Sequence, residues 1–389
     1  MIDRDLAPEV LRAAEWYPVV TVTGPRQSGK TTLVKQLFTH LPYVSLEPLD
    51  VRAEVREDPR GFLASHLGGV VVDEVQHVPE LLPYLQEEVD RAPDPGRFVL
   101  TGSQHLPLAQ AVAQSLAGRT AVLHLHPLTW PELTRFPNHP RDLWHAVWAG
   151  GFPRIWDVGI PPDRWLRDYT TTYVERDVRQ VLAVGDLRAF RTFLELCAGR
   201  TAAEENLTAI GNDAGVARNT AAGWLSVLEA TFLAFRLPAW SPNVRKRAVR
   251  APKLHLADTG LACHLLGVRE PDQLRRHPLR GPLFETWVAA EVRKARANRG
   301  VTEGLHHFRE TRGAEVDLVV TDGADVTLVE AKSGATVASD WFDGLRDVAA
   351  RFSDATTSLA GVLVYGGDRP HERRGTAVLP WHRLHDRRW

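Results

Sequence analysis

The stretch Val19-Val20-Thr21-Val22-Thr23-Gly24-Pro25-Arg26-Gln27-Ser28-Gly29-Lys30-Thr31-Thr32 decides the fold of the first third of the chain. It places the pattern Gly-x-x-x-x-Gly-Lys-Thr directly after an apolar, β-branched run and ahead of a helical run. Glycines allow a tight turn that aims backbone N–H groups at phosphate oxygens, and a helix N-terminus adds partial positive charge. The stretch therefore predicts a strand, a phosphate-binding loop and a helix in this order.

We expect different residues of this loop to bind different parts of a nucleotide and its metal ion. We expect Lys30 to reach the β- and γ-phosphates of ATP and the Thr31 hydroxyl to ligate Mg²⁺. The alternative is a glycine-rich turn that formed by chance, but the predicted strand, loop and helix follow in the required order. The expected ATP-binding residues of the loop are Gly24, Pro25, Arg26, Gln27, Ser28, Gly29, Lys30, Thr31 and Thr32.

Two further apolar runs end in polar residues that suit a hydrolase. Val70–Val72 is followed by Asp73 and Glu74. We expect Asp73 to hold Mg²⁺ through water and Glu74 to polarise the attacking water. Phe98–Thr101 leads to Ser103, whose side chain could bind ATP by sensing the γ-phosphate. The alternative for each run is a strand followed by a solvated polar turn.

Four segments carry a family resemblance, namely Gly24–Thr32, Asp73–Gln76, Thr101–Gln104 and Ala117–Arg119. Together they resemble the bacterial and archaeal AAA-like ATPases whose C-terminal portion is classed as a domain of unknown function. The resemblance spans most of the chain. It implies that Arg119 touches the γ-phosphate, in cis or from a neighbouring subunit, and stabilises charge that develops in the transition state. The alternative is a surface arginine at the end of a helix.

The middle of the chain has the pattern of a helix-turn-helix. Leu207–Glu229 reads as two helices about a turn that contains Gly215. Arg218 and Asn219 would open the second helix, where contacts with a DNA groove or its phosphates are made. A basic stretch without acids follows at residues 243–253, as in a phosphate-contacting wing. Its cations are Arg245, Lys246, Arg247, Arg250 and Lys253. The alternative is a module that packs domains together and has a solvated basic loop.

The last third of the chain contains two strand-like runs, Glu315–Val320 and Val326–Ala331, which are joined by a turn-forming stretch. Residues two apart on a strand share a face. A two-residue turn at Asp322-Gly323 or at Gly323-Ala324 gives the same outcome, because both registers bring the same charged side chains to one face. The converging side chains are Asp317, Glu330 and Lys332.

This constellation resembles the Asp…Glu-x-Lys arrangement of the restriction-endonuclease-like fold, which Glu285 on the preceding helix would complete. Asp317 and Glu330 could bind a second Mg²⁺ and activate water for attack on a phosphodiester, while Lys332 orients the water or stabilises the phosphorane. The alternatives are an exposed, salt-bridged strand pair and a fold of this kind without nuclease activity.

The expected fold class is α/β, and the 389-residue chain divides into three expected domains. These are an AAA-like P-loop ATPase domain with a parallel sheet at residues 1–165, a helical, winged-helix-like domain at 166–270 and a restriction-endonuclease-like α/β domain at 271–389. No apolar run is long enough to cross a bilayer, and the first five residues lack the features of a secretion signal, so we expect a cytoplasmic protein. Cys197 and Cys263 have no metal-ligand spacing, and we expect small buried side chains.

Three functions fit these motifs. The first is Mg²⁺-dependent ATP hydrolysis that is coupled to DNA through the winged-helix and nuclease-like domains. The second is a nucleotide-gated regulatory switch that acts through protein partners, which suits the net charge of −1. The third is a metal-dependent nuclease that ATP regulates. Each assigns ATP and Mg²⁺ as cofactors, excludes a membrane partner and leaves room for a homo-oligomer.

Overall fold

The N-terminal part of the chain is built on a parallel sheet. The computed structural model describes residues 2–103, 115–174, 186–241, 250–310, 313–352 and 358–389. The five strands of the first sheet lie in the order β2-β3-β4-β1-β5 and all run parallel. They are β1 (Val19–Thr23), β2 (Tyr43–Ser45), β3 (Val70–Asp73), β4 (Phe98–Gly102) and β5 (Thr120–His124). The expected α/β class with a parallel sheet is confirmed.

Helices cover both faces of this sheet. They are α1 (Ala7–Trp16), α2 (Lys30–Leu37), α3 (Leu49–Glu57), α4 (Pro59–Ala64) and α5 (Leu81–Arg91). Because successive strand side chains point to opposite faces, Val19 and Val20 belong to two separate cores. Val19 packs in the core of Leu85, and Val20 packs in the core of Val10. Strands buried on both faces need continuous apolar runs, which explains Val70–Val72.

Short helices follow the sheet at residues 130–169. They are α6 (Trp130–Leu133), α7 (Leu143–Ala149), α8 (Pro153–Asp157) and α9 (Pro162–Tyr169). Their aromatic side chains, such as Trp144 and Trp165, share one core with Phe190 and Trp287 from later in the chain. From Leu128 onward, the buried side chains of this region pack in this shared core and no longer in the two cores of the parallel sheet. The sequence places the first domain boundary later, at residue 165. The Trp- and Pro-rich sequence has no periodicity that indicates which core it joins.

The middle of the chain combines three helices with a small sheet. The helices are α10 (Leu187–Gly199), α11 (Leu207–Ala214) and α12 (Arg218–Ala230). The antiparallel strands β6 (Ala203–Glu204), β7 (Ala234–Leu237) and β8 (Lys253–Leu256) lie in the order β6-β8-β7. Gly215 ends α11 with a φ of 72°, a left-handed conformation that glycine adopts without strain. The predicted pair of helices about this glycine is confirmed.

The C-terminal part contains a long helix and a mixed sheet. Helices α13 (Thr259–Leu265) and α14 (Pro271–Leu274) lead to α15 (Arg280–Ala297), and α16 (Asp343–Phe352) lies between two strands of the sheet in the chain. The strands are β9 (Leu305–Arg309), β10 (Glu315–Asp322), β11 (Asp325–Lys332), β12 (Ser358–Tyr365), β13 (His371–Arg373) and β14 (Thr376–Pro380). Their order is β13-β14-β12-β11-β10-β9, and β11, β12 and β14 run parallel.

The hairpin of β10 and β11 decides where the C-terminal charges lie. Asp322 pairs with Asp325 in an antiparallel register, so the loop between them is Gly323-Ala324. This is one of the two turn registers that the sequence allows. The structure therefore confirms that a two-residue turn sets the face on which the charged side chains of both strands lie.

Two further expectations concern single features of the chain. In the described ranges, every helix is too short or too polar to cross a membrane. Cys197 and Cys263 are both buried and form no disulfide. Burial raises the pKa of each thiol, to about 12 for Cys197. The prediction that each cysteine is a small buried side chain is confirmed.

Trp240 offers a direct test of the packing between the middle and C-terminal parts. It is 2% exposed, and its ring lies edge-on to Phe308 and Phe352 at centroid distances of 6.2 and 4.9 Å. We expect Trp240→Ala to lower the free energy of unfolding by roughly 3–5 kcal/mol, because it leaves a cavity in a dry core. Urea unfolding followed by circular dichroism measures this change. Trp16→Ala is the matched control, because Trp16 is 65% exposed and its loss should be nearly neutral.

Candidate functional site

The loop Gly24–Gly29 joins β1 to α2 at the carboxyl edge of the parallel sheet. A Cβ at Gly24 would lie 2.2 Å from the carbonyl oxygen of Leu125, so only glycine fits there. Gly29 directly precedes α2 and has a φ of 97°. The predicted order of strand, loop and helix is confirmed, and the loop presents its backbone at the N-terminus of α2.

The ammonium of Lys30 is buried inside this loop. Lys30 is 5% exposed, and its Nζ donates to the carbonyl oxygens of Gly24 at 3.1 Å and Pro25 at 3.0 Å. Burial lowers the pKa of Lys30, while the charges of Glu74 and Asp73 act to raise it. Neutral carbonyls are weaker acceptors for a buried cation than an anion is. The ammonium is therefore placed to exchange these carbonyls for phosphate oxygens.

Asp73 is the centre of a hydrogen-bond cluster at the end of β3. The hydroxyl of Thr31 lies 3.1 and 3.0 Å from the two carboxylate oxygens, and the Tyr43 hydroxyl donates to Oδ2 at 2.6 Å. Thr101 Oγ1 donates to Oδ1. Burial and Asp73 together raise the pKa of Tyr43, so this phenol stays a donor. The two side chains expected to bind Mg²⁺, those of Thr31 and Asp73, are in direct contact.

Glu74 follows Asp73 in a left-handed backbone conformation with a φ of 58°. This conformation costs a non-glycine residue of the order of 1–3 kcal/mol, and the bond from the Glu74 N–H to Thr101 Oγ1 at 3.2 Å helps to hold it. Gln76 Nε2 donates to the Glu74 carboxylate and to Ser103 Oγ, the latter at 3.1 Å. Burial acts to raise the pKa of Glu74, but Lys30 and Gln76 outweigh it and the pKa is lowered. Glu74 is thus an ionised carboxylate.

These groups surround one cavity of about 480 Å³. The expected residues that line it are Arg26, Gln27, Gly29, Lys30, Thr31, Thr32, Asp73 and Glu74. Ser28 and Ser103 are buried outside this lining. Ser103 Oγ lies 3.4 Å from Glu74 Oε2, so it contacts the acid that lines the cavity. Gln104 lies outside the described residues.

The cavity lining also includes residues that were not predicted from the sequence, among them Arg4, Tyr43 and Arg154. Tyr43 bonds Asp73, and Arg154 lines the cavity from α8. Arg4 donates to the carbonyl of Ser28 at 2.6 Å and to Glu132 at 2.8 Å, and so ties the P-loop to α6. For Arg154, the sequence offers one indication: Gly150-Gly151-Phe152-Pro153 directly before it has the pattern of a turn. Nothing in the local sequence indicates that Arg4 or Tyr43 belongs to the site, because a charged or an aromatic residue by itself does not identify a binding residue.

Arg119 lies at the end of the strands opposite to the P-loop, so it cannot contact the γ-phosphate in cis. Thr120 pairs with Val19 at the start of both strands, and the Arg119 carbonyl accepts from the Val19 N–H. The P-loop follows the other end of β1, about 16 Å away for five strand residues. The Arg119 guanidinium pairs with Asp90. The expectation of a γ-phosphate contact in cis is therefore wrong for this chain, and the role in a neighbouring subunit stays a prediction.

The expected DNA-binding residues fall into three groups. Arg218 and Asn219 are exposed in the first turn of α12. Arg250 is exposed and donates to the Arg309 carbonyl at 2.6 Å. Lys253 is 1% exposed and cannot reach DNA, so its assignment to a DNA-contacting wing is wrong. A basic sequence does not show which of its cations turns inward. Arg245, Lys246 and Arg247 lie outside the described residues.

Lys253 lies instead in a cluster of carboxylates in the C-terminal part. Its Nζ is 2.7 Å from Glu285 Oε1, 2.9 Å from Glu315 Oε1 and 3.5 Å from Asp317 Oδ1. Lys332 Nζ is 2.5 Å from Glu330 Oε1. Burial and the charge of Asp317 raise the pKa of Glu285 well above its ordinary value and that of Glu330 to about 8.

The predicted convergence of Glu285, Asp317, Glu330 and Lys332 is thus present in the structure, in a different chemical setting. Asp317 Oδ2 accepts the Ala331 N–H at 2.9 Å, and Asp317 Oδ1 faces Lys253. Among the described residues, no group of three or more His, Cys, Asp or Glu side chains could hold a metal ion. A divalent ion here would have to displace the ammonium of Lys253.

Family models match three consecutive parts of the chain. An AAA domain matches residues 17–134, a domain of unknown function (DUF8612) matches 140–272, and a second domain of unknown function (DUF4143) matches 280–384. The first match contains the P-loop, Asp73 and Glu74. The third contains Asp317, Glu330 and Lys332.

The chain is also similar to whole proteins. It is 32% identical over 325 residues to an uncharacterized protein of Mycobacterium bovis and to one of Mycobacterium tuberculosis, in each case over 82% of this chain and 70% of the relative. Among solved structures it is similar to a Walker-type ATPase of Pyrococcus abyssi, with 15% identity and a TM-score of 0.47 over 68% of this chain and 96% of that one. The chain belongs to the family of the two mycobacterial proteins and unites an AAA ATPase domain with a C-terminal DUF4143 domain.

Proposed function

We propose that this chain hydrolyses ATP with Mg²⁺ at its P-loop and that the bound nucleotide controls DNA binding by the middle part of the chain. The observation that supports hydrolysis is the meeting of Lys30, Thr31, Asp73 and Glu74 at one cavity of about 480 Å³. Phosphoryl transfer requires a cation that binds phosphate, a hydroxyl and a carboxylate that hold a metal ion, and a second carboxylate that activates water.

Lys30 and the loop backbone would bind the phosphates. The Lys30 ammonium would leave the carbonyls of Gly24 and Pro25, which lie at 3.1 and 3.0 Å, for charged phosphate oxygens. Charge-assisted bonds of this kind are roughly twice as strong as bonds to neutral acceptors. Because Lys30 is already buried, little further desolvation accompanies the exchange.

The residues present fit a magnesium ion beside the phosphates. Hydroxyl and carboxylate oxygens are the ligands that Mg²⁺ prefers, and Thr31 Oγ1 lies 3.0 Å from Asp73 Oδ2. Tyr43 and Thr101 bond the same carboxylate and orient it. When bound with ATP, Mg²⁺ would neutralise charge on the transferred phosphate group. Thr31 and Asp73 would hold it.

Glu74 would orient and deprotonate the attacking water. Its lowered pKa keeps the carboxylate ionised at neutral pH, so that it can accept a proton. Gln76 bonds both Glu74 and Ser103, which fixes the direction of the carboxylate before a nucleotide binds. A preset base of this kind avoids reorganisation during the reaction.

Arg154 is the cavity cation that could stabilise the transition state in cis. It lines the same cavity as Lys30 but comes from α8, outside the parallel sheet. In the described part of the chain, the side chain of Arg154 forms no ion pair or hydrogen bond, whereas that of Arg119 is paired with Asp90. A guanidinium that is not paired with a carboxylate can contact a phosphate without first breaking an ion pair.

The ATPase assignment predicts the effect of two substitutions on turnover. Lys30→Ala and Glu74→Gln should each lower kcat by about 10²-fold or more, because one removes the phosphate cation and the other the base. A phosphate-release assay with purified protein and Mg-ATP measures this. Glu87→Gln, which changes an exposed acid on α5, is the matched control and should turn over at the wild-type rate. Equal rates in Glu74→Gln and Glu87→Gln would remove the base from the mechanism.

The two candidate arginines can be separated in the same assay. Arg154→Ala should lower kcat/KM by about 10²-fold at every protein concentration, because it acts within one chain. Arg91→Ala removes an exposed arginine of α5 and is the control. If Arg119 instead serves a neighbouring subunit, a mixture of Arg119→Ala and Lys30→Ala proteins should recover turnover that neither has alone. Full activity of Arg154→Ala would exclude its role.

The middle part of the chain has the element order of a winged helix. Helix α10, strand β6, helices α11 and α12, and strands β7 and β8 follow in this order, and β8 lies between its two partners. Arg218 and Asn219 open α12 and are exposed, which is where a recognition helix contacts DNA. These observations support DNA as the partner.

DNA binding is tested by salt dependence. The binding constant for duplex DNA should fall steeply with salt, because phosphate contacts release counterions, and Arg218→Ala should reduce the slope of log K against log[salt] by about 1. Fluorescence anisotropy with a labelled duplex measures both. Arg12→Ala, an exposed arginine of α1, is the control and should leave the slope unchanged. Affinity that does not change with salt would contradict the proposal.

The alternative is a nucleotide-gated switch that acts through protein partners. The net charge of −1 favours it, because a protein without excess positive charge gains little long-range attraction to DNA. Such a switch would bind ATP through the same residues but would show no affinity for the labelled duplex.

A further inference from the structure

The ammonium of Lys253 is buried among carboxylates of another part of the chain. Lys253 is the first residue of β8 in the middle part, whereas Glu285 belongs to α15 and Glu315 and Asp317 belong to β10. Its Nζ meets these three acids at 2.7, 2.9 and 3.5 Å, and the residue is 1% exposed. An ammonium has three donors, and three carboxylates lie within 3.5 Å of this one.

The other oxygens of the central acids have partners from the protein as well. Asp317 Oδ2 accepts the Ala331 N–H at 2.9 Å, and Glu330 Oε1 is 2.5 Å from Lys332 Nζ. Arg309 Nε lies 3.7 Å from Glu315 Oε2. Glu330 Oε2 is buried without a hydrogen-bond partner in the described part of the chain. One oxygen does not make a metal site, and two or more protein carboxylates are usual for a hydrolytic ion.

We propose that Lys253 is the resident cation of this acid cluster, and that its ammonium excludes a divalent metal ion and joins the middle and C-terminal parts. The carboxylates that would bind a metal are held by an internal charge that cannot diffuse away. The cluster therefore does not cut phosphodiesters in this chain, although it has the residue types of a nuclease site. None of the residues around Lys253 lines the P-loop cavity.

Contacts around Lys253 show what the ion pairs do instead. The stretch before the undescribed residues 242–249 is held by Trp240, whose N–H donates to the His307 carbonyl at 2.6 Å. The stretch after them is held by Lys253 and by Ala251, whose carbonyl lies 3.1 Å from His307 Nε2. Both ends of the segment between β7 and β8 are thus fixed on the C-terminal sheet.

Manganese binding to the nucleotide-free, full-length protein tests the proposal. Electron paramagnetic resonance counts free Mn²⁺ during a titration, and the comparison is between wild type and Asp317→Asn. We expect the two to bind the same number of ions, because any ion at the P-loop is common to both. Lys253→Met should gain one Mn²⁺ site, and Lys253→Met/Asp317→Asn should lose that gain. A site that is present in wild type and absent in Asp317→Asn would overturn the proposal, and so would a folded Lys253→Met protein without the extra site.

The folding of these variants is followed by thermal unfolding. Lys253→Met leaves buried acids without their cation and should lower Tm by roughly 5 °C or more. Lys253→Arg keeps the charge and should recover most of Tm while binding no extra Mn²⁺. If Lys253→Met fails to fold, Lys253→Arg with wild-type Mn²⁺ stoichiometry supports the proposal, and an Mn²⁺ site in that variant contradicts it. Cleavage of plasmid DNA by wild type with Mn²⁺, lost in Asp317→Asn, would also overturn it. ATP turnover in these variants reports separately on the P-loop.

Discussion

The parallel alignment of β1, β3 and β4 is the constraint on which the nucleotide site depends. Parallel strands carry all their carboxyl ends at one edge, so whatever follows each strand meets its neighbours there. The P-loop follows β1, Asp73 is the last residue of β3 with Glu74 directly after it, and Thr101 is the last residue but one of β4. Thr101 bonds both acids, through its own hydroxyl to Asp73 and from the Glu74 N–H. The chemistry of the site follows from strand order, because the P-loop, both acids and Thr101 lie at or directly after the carboxyl ends of neighbouring strands.

Two buried lysines show how the same side chain takes opposite roles. Lys30 has neutral carbonyls as its near acceptors, with Glu74 and Asp73 as more distant charges, and its pKa is lowered by burial. Lys253 has three carboxylates within 3.5 Å, and its pKa is raised although burial acts to lower it. A buried cation without a close anion favours an incoming anion, and one that is fully paired favours the structure as it stands. Lys30 is therefore suited to binding a ligand, and Lys253 is suited to holding two parts of the chain together.

Local sequence patterns predicted the parts of the site that lie on one element or one hairpin. The P-loop, the acids after β3, the two helices about Gly215 and the alignment of Asp317 with Glu330 all follow from periodicity over a few residues. Arg119, Lys253 and Arg154 depend on contacts between elements far apart in the chain, which no local pattern specifies. Arg119 lies before β5 and therefore at the far edge of the sheet, a placement that needs the strand order. Lys253 turns inward because three carboxylates lie within 3.5 Å of its ammonium, all of them more than thirty residues away in sequence.

We propose that the P-loop binds the phosphates of ATP together with Mg²⁺ through Lys30, Thr31 and Asp73. Isothermal titration calorimetry with an ATP analogue whose β–γ bridge cannot be cleaved measures this most directly. We expect wild-type protein to bind the analogue in the presence of Mg²⁺, and Asp73→Asn to bind about tenfold more weakly with Mg²⁺ but equally without it. Absence of binding by wild type, or equal binding by both proteins in Mg²⁺, would contradict the account.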